Sequence, residues 1–162
     1  MARVFIGLGS NLANPLLQVQ SALRSLSELP STQLQQVSPC YASTPQGPQD
    51  QPDFVNAVCL LQTELTPLAL LDALQAIEQA QGRIKKRHWG ERLIDLDILL
   101  YDNMLLQTER LTLPHPQMVQ RDFVLIPLAD IAPGQLIVAE SMAQSVEQWI
   151  AGLATSYLKP LR

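Results

Sequence analysis

One stretch, Arg92-Leu93-Ile94-Asp95-Leu96-Asp97-Ile98-Leu99-Leu100-Tyr101, constrains this chain more than any other. In an extended backbone successive side chains point to opposite faces. Ile94, Leu96, Ile98 and Leu100 are therefore expected on one face, with Asp95 and Asp97 together on the other, roughly 7 Å apart. The apolar face needs a core to lie on. The acidic face needs something that relieves two like charges, and the hard divalent cation that suits one or two carboxylates, completed by water and phosphate, is magnesium. A solvated edge strand carrying two outward acids is the plain alternative.

The neighbourhood favours the cation. Of the 11 Lys and Arg residues, five (Arg83, Lys85, Lys86, Arg87 and Arg92) fall between residues 83 and 92, interleaved with His88, Trp89 and Gly90. With a formal net charge of -4, the remainder is distinctly acidic, so a general nucleic-acid binder is excluded. A local cationic loop running into a carboxylate pair suits a polyphosphate, whose oxygens can be shared between metal and guanidinium groups. Taken alone, such a loop reads as a solvated turn at the negative end of a helix.

The length of 162 residues and 47% hydrophobic content fit one domain, residues 1–162, with a core of ordinary size. No apolar run reaches membrane-span length, and Val4-Phe5-Ile6 is interrupted too early for a signal peptide, so the expected location is the cytoplasm. Cys40 and Cys59 lack metal-ligand spacing and read as reduced packing residues.

Arg3 to Gly9 reads as a buried strand. Asn14-Pro15 then opens a helix carried by Leu16, Val19, Leu23 and Leu26. Leu34 to Tyr41 has weak strand character, Ser43 to Asp53 is a Pro, Gln and Gly loop, and Phe54 to Leu61 is a second apolar strand. Thr66-Pro67 starts a helix through Leu70, Leu71, Leu74 and Ile77 that Gly82 closes. The order strand, helix, strand, strand, helix, strand implies an α+β fold, a ferredoxin-like βαββαβ core with an antiparallel sheet flanked by helices. A short C-terminal extension follows, with Leu113-Pro-His-Pro-Gln117 as a rigid turn and Ala143 to Leu153 as a last helix. Beyond Gly134 the residues read as packing. Gly7-Leu8-Gly9-Ser10-Asn11-Leu12 fails as a dinucleotide fingerprint at Leu12, and no P-loop is present, so a nucleotide must be held by side-chain cations and metal.

The run Trp89-Gly-Glu-Arg92-Leu-Ile-Asp95-Leu-Asp97-Ile-Leu-Leu, together with Gly9-Ser10-Asn11-Leu12, Gln46 to Asn56, Pro114-His115-Pro116 and Arg121-Asp122-Phe123-Val124, closely resembles the 6-hydroxymethyl-7,8-dihydropterin pyrophosphokinase family. The resemblance covers about residue 3 to residue 133. It implies transfer of a pyrophosphoryl group from MgATP to the hydroxymethyl group of a reduced pterin in folate biosynthesis, with release of AMP. It further implies that Asp95 and Asp97 hold two magnesium ions and that Arg83 and Arg92 serve catalysis with them. Arg83, Arg92, His115 and Arg121 would contact phosphate, and Trp89 would sit in a mobile loop that seals the site. Glu78, Ile98, Arg110 and Thr112 would contact the nucleotide. Read individually, Glu78 is a helix surface acid, Ile98 a core residue, Thr112 a turn and His115 a loop histidine. The implied partners are the two small substrates, with no nucleic acid and no membrane, and the chain is expected to act as a monomer.

A flat 2-amino-4-oxo pteridine wants two apolar plates and a complementary amide. Phe54 and Phe123 can supply the plates and Asn56 the amide, while the Thr44-Pro45 backbone resembles the family's loop contact to the same ring edge. As plain packing, both phenylalanines would be core residues, yet Asn56 in the apolar run Phe54-Val-Asn-Ala-Val58 needs a partner. Two other classes predict different behaviour: a regulatory nucleotide-binding module of the same fold would bind without turnover, and an RNA-binding domain would need a basic sheet face where Asp95 and Asp97 stand.

Overall fold

In the computed structural model, which describes residues 1–43, 53–82, 93–153 and 158–161, the N-terminal apolar segment forms β1 (Ala2–Ser10). Val4, Phe5 and Ile6 are buried in succession, as a strand covered on both faces requires. β4 (Phe54–Thr63) and β5 (Asp95–Tyr101) flank it, both antiparallel. The far edge of β4 carries two short strands, β2 (Thr32–Val37) and β3 (Tyr41–Ser43). The single strand expected over Leu34 to Tyr41 is thus broken. Pro39 has no N–H to give the ladder, and beside it Ser38 clamps the break, donating its N–H to the Val58 carbonyl at 2.8 Å and accepting the Val58 N–H on Oγ at 2.9 Å.

α1 (Pro15–Ser27) and α2 (Pro67–Ala80) complete the βαββαβ order and cover one face. Their buried stripes are Val19, Ala22 and Leu26, and Leu70, Leu74 and Ile77. Leu16, expected on the stripe, is 39% exposed. Thr66 caps α2 by accepting the Ala69 N–H at 3.3 Å, and Gly82, at φ +79°, ends it. Burial of Leu70 and Leu74 is complete, and truncating either to alanine should cost about 2–5 kcal/mol. With strand order β5-β1-β4 and β2 beyond, all antiparallel, the fold is ferredoxin-like.

Alternation in β5 fails at one point. Ile6 faces Ile98 but Phe5 faces Leu100, so Leu99 is an extra residue against β1. Leu100 therefore turns away from Ile94, Leu96 and Ile98, and packs with Phe5 and Leu99 in a second core on the opposite face.

That second core is built by the C-terminal third. A small hairpin, β6 (Leu106–Gln107) and β7 (Thr112–Leu113), leads to a 3-10 turn, Met118–Gln120, and to α3 (Asp122–Ile131), a helix that contains Pro127. β8 (Leu136–Ala139) and β9 (Met142–Ser145) pair as a hairpin, and α4 (Val146–Ala151) follows. The helix expected from Ala143 is shorter because Ser145 and Gln148 form a capping box that fixes its start: Ser145 Oγ accepts the Gln148 N–H at 3.2 Å and Gln148 Oε1 accepts the Ser145 N–H at 2.8 Å. Ile137, Val146 and Trp149 are buried here, the Trp149 indole donating to the Ile137 carbonyl at 3.0 Å. Finally β10 (Lys159–Pro160) pairs with β3. Among the described residues no helix is long and apolar enough to cross a membrane.

Candidate active site

The second core leaves one end of its sheet face for chemistry. There the register sets Asp95 opposite Gly9 and Gly9 opposite Asn56, with Asp97 opposite Gly7 in the next row. Partners directly opposite share a face, so the two carboxylates, the two glycines and Asn56 form one surface. A Cβ placed on Gly7 would first meet the Leu99 side chain, at 3.4 Å, and one on Gly9 would meet Asn56 Oδ1 at 3.1 Å and Phe54 Cδ1 at 3.9 Å. The glycines thus keep the floor between carboxylates and amide open. Asn56 is buried, and its Nδ2 donates to Ser43 Oγ at 2.5 Å. This is the partner that the sequence demanded for a polar side chain in that strand. Phe54 lies on the same side of β4 as Asn56 and is half-buried, as is Phe123 in the first turn of α3, packed against the second core.

Above Asp97, the backbone of His115 is tied to β5 by its N–H to the Leu99 carbonyl at 2.9 Å. Its Nε2 lies 4.0 Å from Asp97 Oδ2, and its Nδ1 accepts the Gln117 N–H at 3.2 Å. A neutral ring held this way carries its proton on Nε2, directed at the acidic pair. Burial lowers the His115 pKa, with Asp97 opposing and Arg121 adding to the shift. Burial likewise lowers that of Arg121, against the pull of Asp97 and Asp95. Arg121 Nη2 donates to Gln117 Oε1, and its guanidinium carbon stands 5.5 Å from the Phe123 ring centroid, a cation-π distance.

Along β5, the outermost strand of the sheet, runs a cleft of 240 Å³ that brings Asp97, Ile98, Arg110, Thr112 and His115 together. Arg110 is held from α2, donating to Asp72 Oδ1 at 2.5 Å and Gln75 Oε1 at 3.3 Å. Thr112 sits in β7 instead of a turn, and Ile98 is both core and cleft wall. Glu78 is no surface acid: it is buried, and its Oε2 accepts the Leu96 N–H at 2.8 Å, which ties α2 to β5. Thr44, Pro45, Arg83, Lys85, Lys86, Arg87, His88, Trp89 and Arg92 lie outside the described residues. Two contributors escaped the sequence reading, Ser43 and Gln117. Both are short-range neutral partners, and their only signal was position, next to Thr44 and beside His115.

Among the described residues no group of three or more His, Cys, Asp and Glu side chains could hold a metal by themselves. Two carboxylates on one strand face, Asp97 with its side chain 46% exposed, fit a cation that arrives with phosphate oxygens and keeps its water.

Residues 5–133 match the model of the 7,8-dihydro-6-hydroxymethylpterin-pyrophosphokinase (HPPK) family. Over 149 residues the chain is 52% identical to the 2-amino-4-hydroxy-6-hydroxymethyldihydropteridine pyrophosphokinase of Haemophilus influenzae, covering 89% of this chain and 93% of that protein. Over 131 residues it is 57% identical to the protein of the same description from Pseudomonas aeruginosa, covering 81% of each. In fold it is similar to the Plasmodium falciparum HPPK-DHPS chain solved with pteroate, at a TM-score of 0.73 and 12% identity, covering 93% of this chain but only 42% of that one. That likeness speaks for the fold alone. The chain belongs to the 7,8-dihydro-6-hydroxymethylpterin-pyrophosphokinase family.

Proposed function

We propose that this chain, acting as a single domain, transfers the pyrophosphoryl group of ATP to 6-hydroxymethyl-7,8-dihydropterin, giving the pterin diphosphate and AMP, in folate biosynthesis. The observation that carries the reading is the row Asp95, Gly9, Asn56. At one end a carboxylate pair suits a metal-bound polyphosphate, at the other an amide suits the donor and acceptor edge of a flat heterocycle, and glycine leaves the path between them open. Family membership supplies the names of the substrates.

Asp95 and Asp97 would hold magnesium, two ions in this reading, whose bound charge neutralises the triphosphate and sharpens the electrophilicity of its β-phosphorus. The chain's own residues do the positioning. Asn56 reads the pterin edge with Ser43 fixing the amide, while Phe54 and Phe123 bound the ring. His115 Nε2–H and Arg121 present a neutral and a charged donor where phosphate oxygens would lie, joined in this reading by Arg83 and Arg92. In this reading Glu78, Ile98, Arg110, Thr112 and Trp89 serve the nucleotide, and Thr44 and Pro45 the pterin. The hydroxymethyl oxygen attacks the β-phosphorus, the bond from that phosphorus to the α-phosphate oxygen breaks, AMP departs, and the hydroxyl proton leaves to solvent. No protein nucleophile is needed, so catalysis is orientation plus charge.

The test is AMP formation from ATP with and without the pterin and magnesium. Turnover that requires both supports the reading. Nucleotide binding without AMP release would instead favour a regulatory module.

A further inference from the structure

We propose that Gln117 is a positioning residue that orients the Arg121 guanidinium for the polyphosphate. This rests on the functional reading above.

The need for such a residue follows from the charges. Asp97 and Asp95 both act electrostatically on Arg121, opposing the lowering of its pKa by burial. A guanidinium beside two carboxylates can swing into a bidentate pair with one of them, the position a phosphate-bound cation requires, so its orientation matters. Gln117 Oε1 offers a competing acceptor to Nη2. Being neutral, it helps to orient the fork and brings no charge of its own. The Phe123 face, 5.5 Å from the guanidinium carbon, supports the same placement from another side.

The residue is itself well anchored. Met118 and Val119, next in the chain, are buried in the second core, and the Gln117 carbonyl accepts the Gln120 N–H at 3.1 Å in the 3-10 turn. Its own N–H sets the His115 ring through Nδ1 at 3.2 Å. One exposed, uncharged residue thereby ties both candidate phosphate donors of this segment to a rigid turn. The side-chain half of that tie is removable by mutation, and the backbone half stays.

The experiment is a double-mutant cycle in the full chain with Gln117→Met, Arg121→Lys and both, read by single-turnover AMP formation so that slow variants still give a rate. Gln117→Met keeps the length of the side chain and loses the acceptor. Its transfer rate is expected to fall about tenfold, since small misplacements of an aligned group cost this much or more, with the pterin KM within about twofold of wild type. In the Arg121→Lys background, where the planar fork is gone, the same change should have little further effect. A wild-type rate in Gln117→Met overturns the proposal, and so does an equal loss in both backgrounds, which would make Gln117 a residue of general structure. A wild-type chain that forms no AMP with pterin and magnesium contradicts the functional reading instead, so the two failures are distinguishable.

Discussion

Asn56 Oδ1 lies 3.1 Å from where the first side-chain carbon of any residue at position 9 would stand. That separation is tighter than nine in ten real contacts of this kind, and Asn56 cannot easily withdraw because Ser43 Oγ holds its Nδ2 at 2.5 Å. Gly9→Ala is therefore expected to twist or push the amide while leaving Asp95 and Asp97 in place. Binding of a pterin analogue should weaken about tenfold, roughly 1.4 kcal/mol, with a magnesium ATP analogue little affected. Asn56→Ala should show the same selectivity more strongly. Calorimetric titration of each ligand separately checks it, and equal losses for both ligands would move the pterin pocket elsewhere.

Asp97→Ala and Asp95→Ala should each abolish turnover without unfolding the chain. Both side chains stand on the open end of the sheet face, Asp97 half-exposed, so neither is a packing group. A loss near a thousandfold corresponds to roughly 4 kcal/mol of transition-state stabilisation. Circular dichroism and the AMP assay at saturating magnesium report the two parts independently. Turnover near wild type in either variant would sink the paired-carboxylate mechanism.

Much of this was legible in the sequence because the signals were local. β1 and β5 announce themselves by burial and alternation, and α2 by Thr66-Pro67 at one end and Gly82 at the other. α3 did not, because Phe123 to Ile131 is apolar on nearly every side and carries Pro127, which argues against a helix until a second core exists for it to fill. The β8–β9 turn was silent as well: Glu140 and Ser141 take positive φ of 52° and 62° without the Asn or Gly that usually marks such a turn. Simple alternation puts Leu100 on the wrong face because a bulge is a property of the pairing, not of either strand. Asp95, Asp97 and Asn56 carry their signal in residue type and spacing, whereas His115 and Arg121 are candidates only through the family resemblance. Ser43 and Gln117 acquire meaning only from what they face, and the inward aim of Glu78 depends on the packing of α2 against β5.

Alkaline stability should report Cys59. Burial pushes its thiol from 9.0 up to about 12, with a hydrogen bond from the Ile6 backbone opposing the shift. The folded state thus keeps its proton where the unfolded thiol has lost it. The stabilising contribution is complete below 9.0 and is lost as pH rises toward about 12, because above 9.0 the unfolded chain binds fewer protons. The expected slope is about 1.4 kcal/mol per pH unit from this group. Urea midpoints under reducing conditions at about pH 8 and about pH 10.5 should fall more in wild type than in Cys59→Ala. Parallel falls in the two proteins would mean that the thiol is not the group responsible.

The last described residues should matter for the pterin more than for the fold. β3 has only three residues, and it carries Ser43, the partner of Asn56. It is held on one side by β4 and on the other by β10, through Lys159 opposite Ala42, Pro160 opposite Tyr41, and the Leu161 N–H to the Cys40 carbonyl at 2.9 Å. Tyr41 Oη also donates to Asp130 of α3, so the strand is fixed from the helix as well. Lys159 and Pro160 are themselves exposed and add little to either core. A chain stopped after residue 157 should therefore keep its unfolding midpoint nearly unchanged, yet exchange the amide hydrogens of Tyr41 to Ser43 faster and bind a pterin analogue a few-fold more weakly, since an element with fewer backbone partners opens more often. Nucleotide binding, which the proposed function assigns to the cleft along β5 and β7, should stay as it was. Unchanged exchange at β3 together with unchanged pterin affinity would show that β4 and Asp130 suffice to hold the strand, and that β10 is a passive attachment to its edge.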